Sequence, residues 1–257
     1  MVAAYLHRGL AVGLMAGLLA GLFAFFVGEP ALDRAVALEE ASADTHHDGN
    51  PGRSHDHPEE EVFSRGTQKV GLFFATGLSG ATAGGIFGLA FAFFRDRLSS
   101  RRDLVRSASL AGVAFCGVVL IPFLKYPANP PSVGDPSTIG TRTIAYFVLI
   151  GLSLLAIYAA WQMSRTLREQ GTGDGTRRVV VGAGLVVVVA ALFLALPAAP
   201  SAGDFPQGLL WGFRLAALGT QAVLWAGIGL FFGLLTERAN RAANRAGDQA
   251  TGRGVAF

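Results

Sequence analysis

The chain has 257 residues, of which 51% are hydrophobic and only 15% charged, with a formal net charge of +3. A soluble protein carries about 25% charged residues, so this chain has too little polar surface for a water-soluble fold of its size. Its one cysteine, Cys116, lies in an apolar run, which excludes an intrachain disulfide framework or a thiolate metal site.

Six apolar runs follow in chain order, each near the ~20 residues that a helix needs to span a bilayer. They extend approximately from Arg8 to Gly28, Lys69 to Phe94, Ser107 to Leu124, Thr143 to Met163, Val179 to Leu196 and Phe213 to Thr236. Six buried helices of a soluble core would leave too little polar surface to cover them. The expected fold is therefore an all-α integral membrane protein, a six-helix transmembrane bundle forming one multi-pass domain over residues 1–257. The first run is longer than a signal-peptide core and no small-residue cleavage site follows it, so it is read as a retained helix. In it Gly9, Gly13, Gly17 and Gly21 recur every four residues and share one face. The second run answers with Gly77, Gly80, Gly84 and Gly88. Small residues let membrane helices approach closely, so these two faces are expected to pack together.

Between these runs lies the longest connection, residues 29–67, read as an outer loop with ten acidic residues against three Arg. Pro30 suits the first turn of a short surface helix at its start. Four of the five histidines sit further along it: His46, His47, His55 and His57, in the stretch THHDGNPGRSHDHPEEE. Neutral imidazole is a good ligand for borderline divalent metals, and carboxylate adds charge. His46 and His47 precede Asp48, and His55 and His57 flank Asp56. Gly49, Asn50, Pro51 and Gly52 can fold one pair toward the other. A flexible metal-collecting segment is favoured over a solvated acidic linker; the identity of the metal is not encoded in it.

The next connections alternate in charge. Residues 95–106 carry five Arg, residues 165–178 four, and the tail after Thr236 four. With Arg8 these make 14 of the 21 Lys and Arg, all on one side of an even-numbered bundle. Basic loops stay in the cytoplasm, so both termini are expected there, with the chain in the cell's inner membrane. Residues 237–257 are then a cytoplasmic tail, expected to be disordered. On the opposite side, Pro122 to Thr143 holds five prolines in fifteen residues, which restrict the chain and suit a shaped cap. Asn129 and Asp135 in this loop are candidates for the path of an ion. Within the last helix, Thr220 and Gln221 are the best candidates for a polar step, although for Gln221 bonding between helices is favoured over a role toward the ion. No Asp, Glu or His falls mid-helix, so no proton relay is visible.

Enzyme signatures are missing from the sequence: there is no H-E-x-x-H, no G-x-S-x-G and no P-loop. An energy-driven step would need another protein, and nothing points to nucleic acid as a partner.

Two long stretches carry a resemblance: PFLKYPANPPSVGDPSTIGTRT and DFPQGLLWGFRLAALGTQAVLW. They resemble the corresponding parts of the CbtA family, a predicted cobalt transporter subunit. The opening RGLAVGLMAGLLAGLFAFFVGEPALDRAVALEEA and the His-rich segment after it are similar too. The resemblance implies Co²⁺ as the transported ion, with Ni²⁺ and other divalent metals as alternatives, and a link to cobalamin synthesis. It also implies a small single-helix partner subunit, CbtB-like, beside the lipid bilayer itself; the oligomeric state is left open. A membrane metal sensor or scaffold without transport activity is the second reading.

Overall fold

The structure is a computed structural model that describes residues 2–37, 65–98, 100, 102–130, 133, 136–199, 201–203 and 205–253. Among them the regular structure is helical throughout. Six helices are long and apolar enough to cross a membrane. They are α1 (Val2–Ala37), α2 (Arg65–Phe94), α3 (Asp103–Lys125), α4 (Ile139–Glu169), α5 (Asp174–Ala195) and α6 (Gln207–Arg253).

Three boundaries differ from the sequence reading. The chain stays helical past Gly28 to Ala37, so the short surface helix expected after Pro30 is the far end of α1. The expected outer loop, residues 29–67, therefore gives up its first nine residues to α1 and its last three to α2; residues 38–64 lie outside the described ones. At the other end, α6 runs 47 residues without a break, through most of the tail expected to be disordered. Alanine and arginine, both strong helix formers, dominate that tail.

Two helices contain a π-helical turn, Ala24–Gly28 in α1 and Cys116–Leu120 in α3. Each ends two residues before a proline, Pro30 and Pro122. Proline has no N–H and its ring strikes the carbonyl four residues back, so the ladder widens just ahead of it. In α3 the Ile121 N–H accordingly donates to Cys116 O, five residues away.

The chain divides into two compact units. The first contains α1 up to Phe25, α2, α3 up to Gly112 and α6 from Thr220. Here the two glycine faces meet as expected. A Cβ on Gly84 would lie 2.6 Å from Gly13 Cα, and one on Gly80 equally 2.6 Å from Gly17 Cα. No larger residue fits without moving backbone. Around the seam lies an aromatic core: Phe232 meets Phe91 at 5.0 Å and Phe87 edge-on at 5.3 Å, with Tyr5 against Phe91 at 5.7 Å. Such tilted and edge-on pairs are the favourable geometries for rings. Arg95 at the end of α2 donates to the Tyr5 hydroxyl near the start of α1.

The second unit holds the rest of α1 and α3, all of α4 and α5, and α6 up to Gly219. Gly117 in the π turn of α3 takes Leu154 and Ile157 of α4 against it. The fully buried Ser153 on α4 bonds back to Leu149 O at 2.7 Å. A Schellman motif ends α4: Thr172 N–H donates to Leu167 O and Gly171 N–H to Arg168 O, both at 3.0 Å. Gly171 supplies the positive φ of 78° that this motif needs. Then α5 opens with Asp174 at its positive end, paired with Arg177 at 2.8 Å.

Candidate functional site

Polar groups gather in one place in each unit. In the second unit they lie where α3 ends, α5 ends and α6 begins. The last carbonyls of a helix have no partner within it. Lys125 Nζ donates to one of these on α5, Phe193 O, at 2.6 Å, and the Tyr126 hydroxyl donates to Pro197 O at 2.7 Å. Three residues on, Asn129 Oδ1 accepts from Arg214 Nη2 of α6 at 2.8 Å. The guanidinium also lies 5.3 Å from the Trp211 ring centre, a cation–π distance. The start of the proline-rich loop is thus strapped at three points, each by a side chain flanking an apolar run. Chemically the collar is cationic. The one oxygen of Asn129 suited to a metal is held by Arg214.

In the first unit, α3 begins against α6. Asp103 is 8% exposed; one carboxylate oxygen accepts from Asn240 Nδ2 at 2.6 Å, the other from Arg106 at 3.4 Å. Glu237 Oε1 accepts the Leu104 N–H at 3.2 Å, so a carboxylate of α6 caps the positive end of α3. Its second oxygen pairs with Arg241 at 2.9 Å. An open cavity of about 520 Å³ lies over these groups, with Arg102 and Asn244 at its edge. This cluster escaped the sequence reading, which counted Arg102, Arg106 and Arg241 as topology signals and left Asp103, Glu237 and Asn240 without a role. Asp103 at the first helical position was the available clue.

Of the residues proposed from sequence, His46, His47, Asp48, His55, Asp56, His57 and Asp135 lie outside the described residues. Asn129 is in the collar. Thr220 is half-buried and its neighbour Gln221 exposed. Among the described residues no three His, Cys, Asp or Glu side chains gather closely enough to hold a metal ion.

Comparison with known families decides the wider identity. The model of one family, described as "Probable cobalt transporter subunit (CbtA)", matches residues 2–237. The chain belongs to the CbtA family. Curated proteins and solved structures yield no match. As a CbtA protein it is a multi-pass membrane protein of a transporter-subunit family; the collar of the second unit lies inside the matched region, and the cluster of the first unit straddles its end, with Asn240 and Arg241 beyond it.

Proposed function

We propose that this CbtA chain carries divalent cobalt across the cell's inner membrane, inward, in support of cobalamin synthesis. The observation that supports the reading most is the family match over residues 2–237 on a chain with six membrane-length helices. The word subunit in the family's description implies a partner, and a small single-helix CbtB-like protein is the one proposed.

Both termini and the Arg-rich loops are placed in the cytoplasm by the 14 basic residues they share. The geometry of the first unit agrees with that alternation. Tyr5 near the start of α1, Arg95 past the end of α2, Asp103 at the start of α3 and Glu237 far along α6 lie at one end. Cysteines placed at Ser100 and Gly173, with Cys116 removed, should react only from the cytoplasmic side. Labelling of both from outside would reverse the topology.

On the outer side, the histidine stretch with Asp48 and Asp56 collects the ion and raises its local concentration. Imidazole must be neutral to bind a metal, so capture weakens as pH falls through the ordinary histidine range. Asn129 and Asp135 in the proline-rich loop, and Thr220 and Gln221 on α6, remain the proposed polar steps beyond it. The deciding experiment is Co²⁺ uptake into proteoliposomes containing the purified chain, with and without the small partner. Saturable uptake is expected. Tight binding without uptake under both conditions would make the chain a sensor or scaffold instead.

A further inference from the structure

Five helix hydroxyls among the described residues bond back to the preceding turn. Thr76 reaches Leu72 O at 2.8 Å, Thr82 Leu78 O at 3.0 Å, Thr143 Ile139 O at 2.9 Å, Ser153 Leu149 O at 2.7 Å and Thr166 Gln162 O at 3.3 Å. Ser107 and Thr236 do not. Both are 0% exposed, and Ser107 Oγ and Thr236 Oγ1 have no hydrogen-bond partner. A buried hydroxyl without a partner is unfavourable, so two in one place call for an occupant.

Their position names it. Asp103 and Asn240 join α3 to α6 across an antiparallel seam. Ser107 is one turn further along α3 than Asp103, and Thr236 one turn back along α6 from Asn240. Residues four apart share a helix face, so the two hydroxyls form the next rung of the same ladder. Gly233 keeps the helices close there: a Cβ on it would lie 3.1 Å from Ser107 Cβ. The ladder thus runs from an open cavity, past two carboxylates and an amide, to a sealed pair of hydroxyls.

We propose that this seam is the ion's passage at the arginine-rich end of the first unit. Ser107 and Thr236 offer their oxygens to a divalent cation or its remaining waters, and Asp103, Glu237 and Asn240 form the latch beyond them. The inference rests on the transport reading above and adds a site to it. In the closed state Arg106 and Arg241 neutralise the two carboxylates. An arriving cation displaces these guanidiniums, and the Arg241 side chain, 69% exposed, has room to swing away. Oxygen donors discriminate poorly among divalent transition metals, so the rung passes ions without selecting them.

The test removes the hydroxyls and keeps their shape. In Ser107→Ala with Thr236→Val, thermal stability in detergent should hold or rise, because the orphan groups are gone. The maximal Co²⁺ uptake rate should fall about tenfold, the loss of roughly one ligand contact in the transition state, with the Co²⁺/Ni²⁺ ratio unchanged. Parental uptake would overturn the proposal, and so would slower uptake accompanied by a matching loss of stability. A second measurement does not depend on transport: Ser107→Cys in a Cys116→Ala background, labelled with a small cationic thiosulfonate. Co²⁺ should slow the labelling; labelling indifferent to Co²⁺ would remove the site. If Co²⁺ protects the cysteine while the parent chain moves no ion, the site stands and the transport reading falls.

Discussion

The same residue, glycine, does opposite things in the two units. In the first, Gly13, Gly17, Gly80 and Gly84 bring α1 and α2 into backbone contact. In the second, Gly140, Gly151, Gly175, Gly182, Gly208 and Gly212 face open space, with no atom within 4 Å of an added Cβ. Lipid covers apolar side chains as well as another helix does, so burial alone cannot hold membrane helices together. Close backbone approach can, through dispersion, and the first unit uses it. The second relies on the polar straps of the collar and on α4 and α5 leaning together, with Met163 Cε 3.3 Å from the Cβ position of Gly184. None of the residues in the most apolar window of α5 is buried. Elements with so few packed neighbours are the ones that rearrange most easily. The first unit is accordingly the rigid frame and the α4–α5 pair the adjustable part.

The strongest way to break this contrast is a matched pair of substitutions. Gly84→Leu should abolish monodisperse, folded protein, and even Gly84→Ala should cost at least about 2 kcal/mol by forcing the backbones apart. Gly182→Ala should stabilise by about 0.5 kcal/mol, because open space and better helix propensity favour it. Thermal unfolding in detergent reads both, and equal effects would erase the distinction between the units.

Next in size is the collar. Arg214→Ala removes a hydrogen bond from a charged donor and should cost about 1.5–3 kcal/mol of local order. Limited proteolysis from the outer face should then cut near Val133, a site expected to resist in the parent chain. Preferential cutting near Val133 in the parent itself would show that the straps do not order the loop.

A smaller effect is expected from the histidines. Replacing His46, His47, His55 and His57 together by Ala should slow Co²⁺ uptake at scarce metal and leave it nearly intact at abundant metal. The parent's advantage should shrink as pH falls through the histidine range. Loss of uptake at every concentration, at normal membrane levels, would put the stretch on the obligatory path. The smallest effect is that of Gln221→Leu on stability, within about 0.5 kcal/mol, since the side chain is exposed. A larger loss would reveal a contact made in the membrane, such as one with the partner subunit.

Much of this architecture was legible in the sequence because lipid imposes simple rules. Six apolar runs and their Arg-rich connections were enough for the helix count, and glycines three or four residues apart on both α1 and α2 identified their seam. Glycine spacing spoke only where a second helix repeated it; the glycines of α5 have no such counterpart and pack on little. Helix ends were harder. Pro30 reads as a start signal, yet a π turn absorbs it within α1, and Thr236 ends the apolar run without ending α6. The collar was half-legible: Asn129 was named, but its partner Arg214 is 85 positions away and no local pattern links them. Least visible were Ser107 and Thr236, since a hydroxyl beside an apolar run reads the same whether it bonds back or not.

The π turns have a consequence for how such chains vary in length. A π turn is one surplus residue locked into a helix, and everything after it is rotated by about 100° relative to an uninterrupted α-helix. In α3 that rotation sets which side chains of Ile121–Lys125 meet their neighbours, Lys125 among them. Deleting one residue within Cys116–Leu120 would restore the α-helical ladder and leave Lys125 facing Phe193 O, but the ring of Pro122 would then strike the carbonyl four residues back unless the proline were also replaced. Insertion and proline are therefore tied: a relative that lacks the proline should be one residue shorter at this point, with the same register resuming beyond it.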